Sequence, residues 1–203
     1  MPNMTASISP SCASFLDRLR HWLCAFVLMG VALTACAEEG VIHSAEIVPG
    51  DGGYVLNADI DLELNSRVAD AVARGVSLYF VAELRIERPR WYWLNEVVID
   101  RRLEYRLHYN AITRSYRLFI GNFQQSFETL EAAVRTMLRI RHWQVASSDE
   151  LKPGVSHQVA LRFLLDTTQL PKPFQVTAIG SRDWDIGTDW MRWTFLPGTP
   201  ASR

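Results

Sequence analysis

Cysteine is scarce in this chain, and its positions exclude several kinds of site. The 203 residues include three cysteines, Cys12, Cys24 and Cys36, all of which precede residue 37. If processing removes that segment, the remaining chain has no thiol. We then expect no disulfide framework, no cysteine-based zinc site and no thiol nucleophile. Burial of apolar side chains must stabilise the fold, and a chain of this length can bury enough.

Other signals are missing as well. Lys152 and Lys172 are the only lysines, and the net charge of −1 gives no electrostatic reason to expect a nucleic acid or an acidic lipid. The histidines show no metal-ligand spacing, and there is no phosphate-binding glycine loop and no nucleophile elbow. We therefore expect no cofactor, no metal and no nucleic-acid partner. A catalytic triad assembled from distant positions stays open.

The N-terminal segment has the order of a secretory signal. Arg18 and Arg20 precede the apolar run WLCAFVLMGVAL, which is short for a bilayer span and ends near small residues. This pattern predicts a signal peptide over residues 1–37 and export to the periplasm. The remaining residues, 38–203, are expected to form a single domain.

Two cleavage sites compete within this signal. Ala35-Cys36-Ala37 fits an ordinary signal peptidase and gives a mature chain that starts at Glu38. Leu33-Thr34-Ala35-Cys36 fits a lipobox, which would leave a lipidated Cys36 and an outer-membrane lipoprotein. The first strand pattern starts at Val41 and leaves little room for a tether, so Glu38 is favoured. Contact with a membrane is expected only through the signal or through this anchor.

Period-two alternation of apolar residues dominates the rest of the chain. It predicts strands over residues 76–86, 97–109 and 115–120, with Val97, Leu103 and Leu107 facing inward in the second. Further strands are predicted over residues 41–48, 54–64, 155–165, 174–179 and 190–195.

Two short helices interrupt the strands. The first begins at Asn65 or Ser66 and stops at Gly75, and the second covers about residues 127–139. The expected fold is mainly β: an antiparallel β-sandwich, immunoglobulin-like in general architecture, with two short α-helices after an N-terminal signal helix.

The segment RPRWYW, residues 88–93, is a candidate binding surface. Arg88 and Arg90 are next to Trp91 and Trp93 in the sequence, and the two tryptophans are two residues apart, the spacing that places side chains on one face of an extended chain. Together they could form a stacking platform for a sugar or an anchor for a partner protein. The alternative is structural, because large aromatic side chains at a sheet bend often close the core.

Asp183, Asp185 and Asp189 form a candidate acidic site. Their spacing resembles the start of a calcium loop, but Gly187, Thr188 and Thr194 occupy positions five, six and twelve of the pattern. A polar loop is the simpler interpretation. As an alternative function, these carboxylates could serve an envelope hydrolase.

Several long segments carry a resemblance to a known family. They are GVSLYFVAELRIERPRWYW (75–93), YRLHYNAITRSYRL (105–118), FETLEAAVRTM (127–137), LPKPFQVTAIGSRDW (170–184) and DWMRWTF (189–195). The chain resembles the Gram-negative bacterial exported proteins catalogued as domain of unknown function 4390. The resemblance implies a signal, a periplasmic location and cleavage before Glu38, and it brings no catalytic residues. Genes of this family often neighbour one for a nitrogen-regulation sensor kinase, which implies a link to envelope sensing.

These observations favour a non-enzymatic periplasmic binding or accessory module whose partner is an envelope protein or a glycan. The alternatives are the envelope hydrolase described above and a carrier of a lipid or small molecule. An enzyme needs acids that converge in a pocket, whereas a carrier needs an apolar cavity between the sheets.

Overall fold

The computed structural model describes residues 40–90, 92 and 95–198. The predicted signal, Cys36, Trp91 and Trp93 lie outside these residues. Within them the chain forms nine strands and three helices. The strands are β1 (Val41–Gly50), β2 (Gly53–Asp61), β3 (Leu78–Arg88), β4 (Glu96–Asn110), β5 (Ser115–Ile120), β6 (Phe123–Phe127), β7 (Arg139–Ser147), β8 (His157–Leu165) and β9 (Met191–Phe195). The helices are α1 (Ser66–Ala73), α2 (Leu130–Met137) and α3 (Lys172–Ala178). None of the helices in these ranges has the length and hydrophobicity that a membrane crossing requires.

The strands form two antiparallel sheets. The smaller has the order β1-β2-β7, and the larger has the order β6-β5-β4-β3-β8-β9. The strands predicted over residues 76–86, 97–109 and 115–120 are confirmed as β3, β4 and β5, and so is the antiparallel sandwich with short helices.

One continuous core joins the inward side chains of both sheets with the buried faces of the helices. Phe80 of β3 and Phe163 of β8 stack with their ring centroids 5.7 Å apart, and Tyr105 of β4 meets Phe163 edge to face at 5.8 Å. Burial raises the pKa of Tyr105 well above its ordinary value. Aromatic packing of this kind adds to the burial of apolar area that stabilises the fold.

The first helix begins and ends as its sequence predicts. Asn65 is the N-cap of α1, and its side-chain oxygen accepts a hydrogen bond from Val68 N at 3.0 Å. Val68, Ala71 and Val72 face the core. Gly75 lies just past the helix with φ of 88°, a conformation that glycine adopts without strain.

Strand β7 was not predicted, because its pairing with β2 is irregular. The register shifts twice, and His142 has a positive φ of 52°. Each shift moves the following side chains to the other face of the sheet, so the period-two pattern is lost.

The strand predicted over residues 174–179 is wrong, since this segment is helix α3. Pro171 is its N-cap, and Pro173 lies in its first turn, where a proline costs no hydrogen bond. The apparent alternation was misleading. Val176 and Ile179 are 73% and 83% exposed instead of buried.

Two smaller predictions also need correction. The second helix is shorter than residues 127–139, because Phe123–Phe127 forms β6 and Thr129 caps α2. Val97 does not face inward but is 53% exposed, since the pairing of β3 with β4 shifts between Ile86 and Glu87.

Candidate binding groove

Arg88 and Arg90 lie where β3 leads towards β4, and both contact one carboxylate. Arg90 Nη2 lies 2.6 Å from Glu96 Oε2, and Arg88 donates a hydrogen bond to the same oxygen. The hydrogen bonds from Arg88 and then from Arg90 lower the pKa of Glu96. The group therefore carries two positive charges and one negative charge. Because Trp91 and Trp93 lie outside the described residues, the binding role of these four residues stays a prediction.

The three aspartates of the acidic site have different surroundings. Asp183 forms an ion pair with Arg67 at 3.0 Å and accepts a hydrogen bond from Ser181 Oγ at 3.2 Å. Asp185 lines a cavity of about 430 Å³ next to α3, and Asp189 does not. Across the described ranges, no three His, Cys, Asp or Glu side chains are arranged to hold a metal ion. Among the described residues the three acids therefore form no metal-holding group, and their catalytic role stays a prediction.

A larger groove lies where the end of β2 and the chain that follows it meet α1 and α2. Its volume is about 710 Å³. Its apolar residues are Ile60, Leu62, Leu64, Ala69, Leu130, Val134 and Leu138. Sites for small molecules typically measure about 300–1,000 Å³ and have mostly apolar walls with a few polar groups. This groove has that size, and apolar residues make up half of its lining.

The apolar wall forms because α2 has more apolar surface than the core covers. Ala133 and Met137 are fully buried, whereas Leu130 and Val134 on the same helix are only half-buried and line the groove. Thr129 fixes the start of the helix, since its hydroxyl accepts a hydrogen bond from Ala132 N at 3.2 Å.

Charged side chains surround this apolar wall. The lining includes the acids Asp59, Asp61, Glu63 and Glu131, the bases Arg135 and Arg139, and His43. With His43 counted as neutral, the lining carries four carboxylates and two guanidinium groups. The net charge of these lining residues is therefore −2.

Some of these charges already have partners. Arg141 Nη2 lies 2.5 Å from Asp59 Oδ1, and this hydrogen bond is the main cause of the lowered pKa of Asp59. His43 Nε2 lies 3.3 Å from Asp61 Oδ2. In the described part of the chain, Glu63 and Glu131 have no ion pair, which leaves both carboxylates available to a ligand.

The lining of the groove combines apolar contact surface with charged side chains. None of the described residues that line it carries a hydroxyl, a thiol or a primary amine. Aliphatic walls with an acidic rim fit a ligand that has apolar side chains and positive charge.

The sequence did not reveal this groove, although it contained one signal. The predicted second helix has an apolar stripe of Leu130, Val134, Met137 and Leu138; Met137 and Leu138 are buried, but Leu130 and Val134 are only half-buried. The available hint was in the second predicted helix, which is short, has a wide apolar stripe and is not followed by a predicted strand. The position of β2 beside α2 depends on tertiary packing and is not visible in local periodicity.

Comparison with known proteins gives one match. A family model described as "Domain of unknown function (DUF4390)" matches residues 37–194. No curated protein matches the chain, and no solved structure does.

Proposed function

Because the chain belongs to the DUF4390 family, whose description states no activity, we propose a function from its own residues. In this proposal the chain is an exported, periplasmic, non-enzymatic binding or accessory module of the cell envelope. Its groove receives an amphipathic segment of a partner protein with basic side chains among the apolar ones.

The observation that carries this proposal is the half-buried apolar wall of the groove beneath an acidic rim. Desolvation of Leu130, Val134 and Leu64 supplies affinity, and Glu63 and Glu131 favour basic residues in the partner. The open form of the groove favours a protein segment over a carried lipid, because a carrier site encloses most of its ligand.

Export is supported by sequence alone. The basic residues before residue 21, the apolar run after them and the small residues near position 36 have the order of a secretory signal. A link to envelope sensing extends the proposal and rests on the family resemblance.

The test is a binding titration with two labelled amphipathic peptides, one built from leucine and lysine and the other from leucine and glutamate. We expect saturable binding of the lysine peptide, weakened by added salt, and at least about tenfold weaker binding of the glutamate peptide. Val134→Lys and Ala69→Lys introduce a positive charge into the groove from two different helices, which removes apolar contact surface and repels a basic ligand. Each should weaken binding by about tenfold or more.

The matched control is Ile112→Lys, which makes the same charge change at a turn residue that is 95% exposed and does not line the groove. Circular dichroism establishes that each variant is folded. The proposal fails if neither peptide binds, or if both groove variants bind the lysine peptide as tightly as the Ile112→Lys control.

We also propose that the region around Arg88, Arg90, Trp91 and Trp93 is a second contact surface, for a glycan or a partner protein. Glu96 holds both guanidinium groups at the start of this segment. The double variant Trp91→Ala and Trp93→Ala should lose capture of its partner from an envelope extract and stay folded. Unchanged capture by the folded variant would contradict this role.

A further inference from the structure

In the described part of the chain, four strands lie at sheet edges. They are β1 and β7 in the small sheet and β6 and β9 in the large sheet. Natural edge strands usually carry charges, prolines or bulges that prevent pairing with another chain. Strand β1 contains Glu46, Pro49 and a register shift, and β7 contains two arginines and two shifts. Strand β9 contains Arg192.

Strand β6 has none of these devices. Its sequence, Phe-Gln-Gln-Ser-Phe, has no charge and no proline, and its pairing with β5 runs without a shift. The first four residues are exposed, and Phe123 is 81% exposed. Among the described residues, no strand pairs with its other side. The edge is therefore open to a further strand.

The sequence of β6 is nearly the same in both directions. If two copies pair antiparallel about Gln125, each Phe123 lies opposite a Phe127, and each Gln124 lies opposite a Ser126. Gln125 then lies opposite itself. Every cross-strand pair is thus aromatic with aromatic or polar with polar, and no like charges meet.

The backbone of β6 permits this register. A two-residue turn with Gly121 at φ 54° joins Ile120 to Phe123, so these two residues form a hydrogen-bonded pair. Alternation along the ladder then directs the N–H and C=O groups of Gln124 and Ser126 to the free edge. Pairing about Gln125 brings these outward groups opposite each other.

The side chains are also placed to pack. Phe123, Gln125 and Phe127 share the face of Leu118, which is fully buried, and Phe127 already packs against the core. In the paired arrangement, Phe123 of a second copy lies beside Phe127 and covers part of its remaining exposed surface.

We propose that β6 is a self-association edge, through which two copies of this chain form a two-fold dimer by antiparallel β6–β6 pairing. The two six-stranded sheets then become one continuous sheet. A five-residue strand pair covers less area than stable dimers bury, so the dimer forms at high protein concentration and dissociates on dilution.

Sedimentation equilibrium over a range of concentrations tests the association with protein purified from cells that express the full chain. We expect a reversible monomer–dimer equilibrium. Gln125→Lys places two lysines opposite each other in the dimer and should raise the dissociation constant by at least about tenfold. The matched control is Thr194→Lys on β9, the other edge of the same sheet, which should leave the constant unchanged within about twofold.

Cysteine crosslinking tests the register, in a parent in which Cys12, Cys24 and Cys36 are replaced by serine. Gln125→Cys should form a disulfide-linked dimer on mild oxidation, because facing residues of a non-hydrogen-bonded pair have Cα atoms about 4.5 Å apart. Phe123→Cys should not, since the two cysteines would lie about 14 Å apart along the strands. A monomer at all concentrations, a dimer insensitive to Gln125→Lys, or equal crosslinking of both cysteine variants would overturn the proposal.

Discussion

At the scale of single residues, Glu83 is a buried acid that forms ion pairs with two arginines. It lies at the centre of β3 with its side chain 6% exposed, between Arg102 of β4 and Arg162 of β8. The carboxylate oxygens lie 2.9 Å from Arg102 Nη2 and 2.6 Å from Arg162 Nη2. The Arg162 guanidinium also stacks over Trp190 at 4.5 Å. A buried acid is tolerated here because both of its oxygens are bonded.

Glu83→Gln should lower the free energy of unfolding by about 1–3 kcal/mol, because the two guanidinium groups lose their shared anion. The control is Glu104→Gln on the same face of the sheet, an exposed residue without an ion pair in the described part of the chain. It should change stability by less than about 0.5 kcal/mol. Urea denaturation measures both. Equal effects would show that the burial of Glu83 contributes nothing specific.

At the scale of elements, α1 is attached at its N-terminus by one side chain with two roles. The Asn65 oxygen caps the helix at Val68 N, and its amide nitrogen donates to the carbonyl of Asp183 at 2.7 Å. The second bond connects α1 to the turn Arg182–Trp184, far away in the sequence. The cap was predictable from the residue type, whereas the partner of the amide was not.

Substitution of Asn65 can separate these two roles. Asn65→Ala removes both and should lower the free energy of unfolding by about 1–2 kcal/mol. Asn65→Asp keeps an oxygen for the cap but loses the donor, so its effect should be smaller. Thermal denaturation ranks the two variants. If Asn65→Asp destabilises the protein as much as Asn65→Ala, the cap contributes nothing of its own.

Elements with regular strand pairing were easier to predict from the sequence than elements with irregular pairing. Strands β3 and β5 were predicted well, because a register without shifts over Leu78–Ile86 and over Ser115–Ile120 keeps apolar side chains on one face. Strand β7 and helix α3 were not, since bulges disturb the pattern of one and a short Phe-x-Val alternation imitates a strand in the other. Local periodicity cannot distinguish such cases without the neighbouring elements.

At the scale of the whole molecule, the candidate groove combines segments that are far apart in the chain. The small sheet brings residues 59–64 close to residues 130–139, since Asp59 of β2 pairs with Arg139 at the start of β7, and Ala69 of α1 completes the lining. The sequence contained the apolar stripe and the acids, but their proximity depends on the pairing of β2 with the unpredicted β7. For this reason the sequence predicted a binding module but did not locate the groove.

The proposed export makes a prediction about the covalent state of the whole chain. Intact-mass spectrometry of protein from the periplasmic fraction should give a chain that begins at Glu38, because Ala35-Cys36-Ala37 fits a signal peptidase site. Such a chain contains no cysteine, so thiol alkylation should leave its mass unchanged. An acylated Cys36, or a retained N-terminal segment, would contradict the predicted processing.

The most direct test of the binding function is to locate the ligand on the protein. Amide chemical shifts of isotope-labelled protein can be recorded during titration with the leucine–lysine peptide. Binding in the groove predicts saturable shift changes over residues 59–64 and 130–139, with little change over residues 86–96. Changes confined to residues 86–96, or spread evenly over the surface, would contradict it.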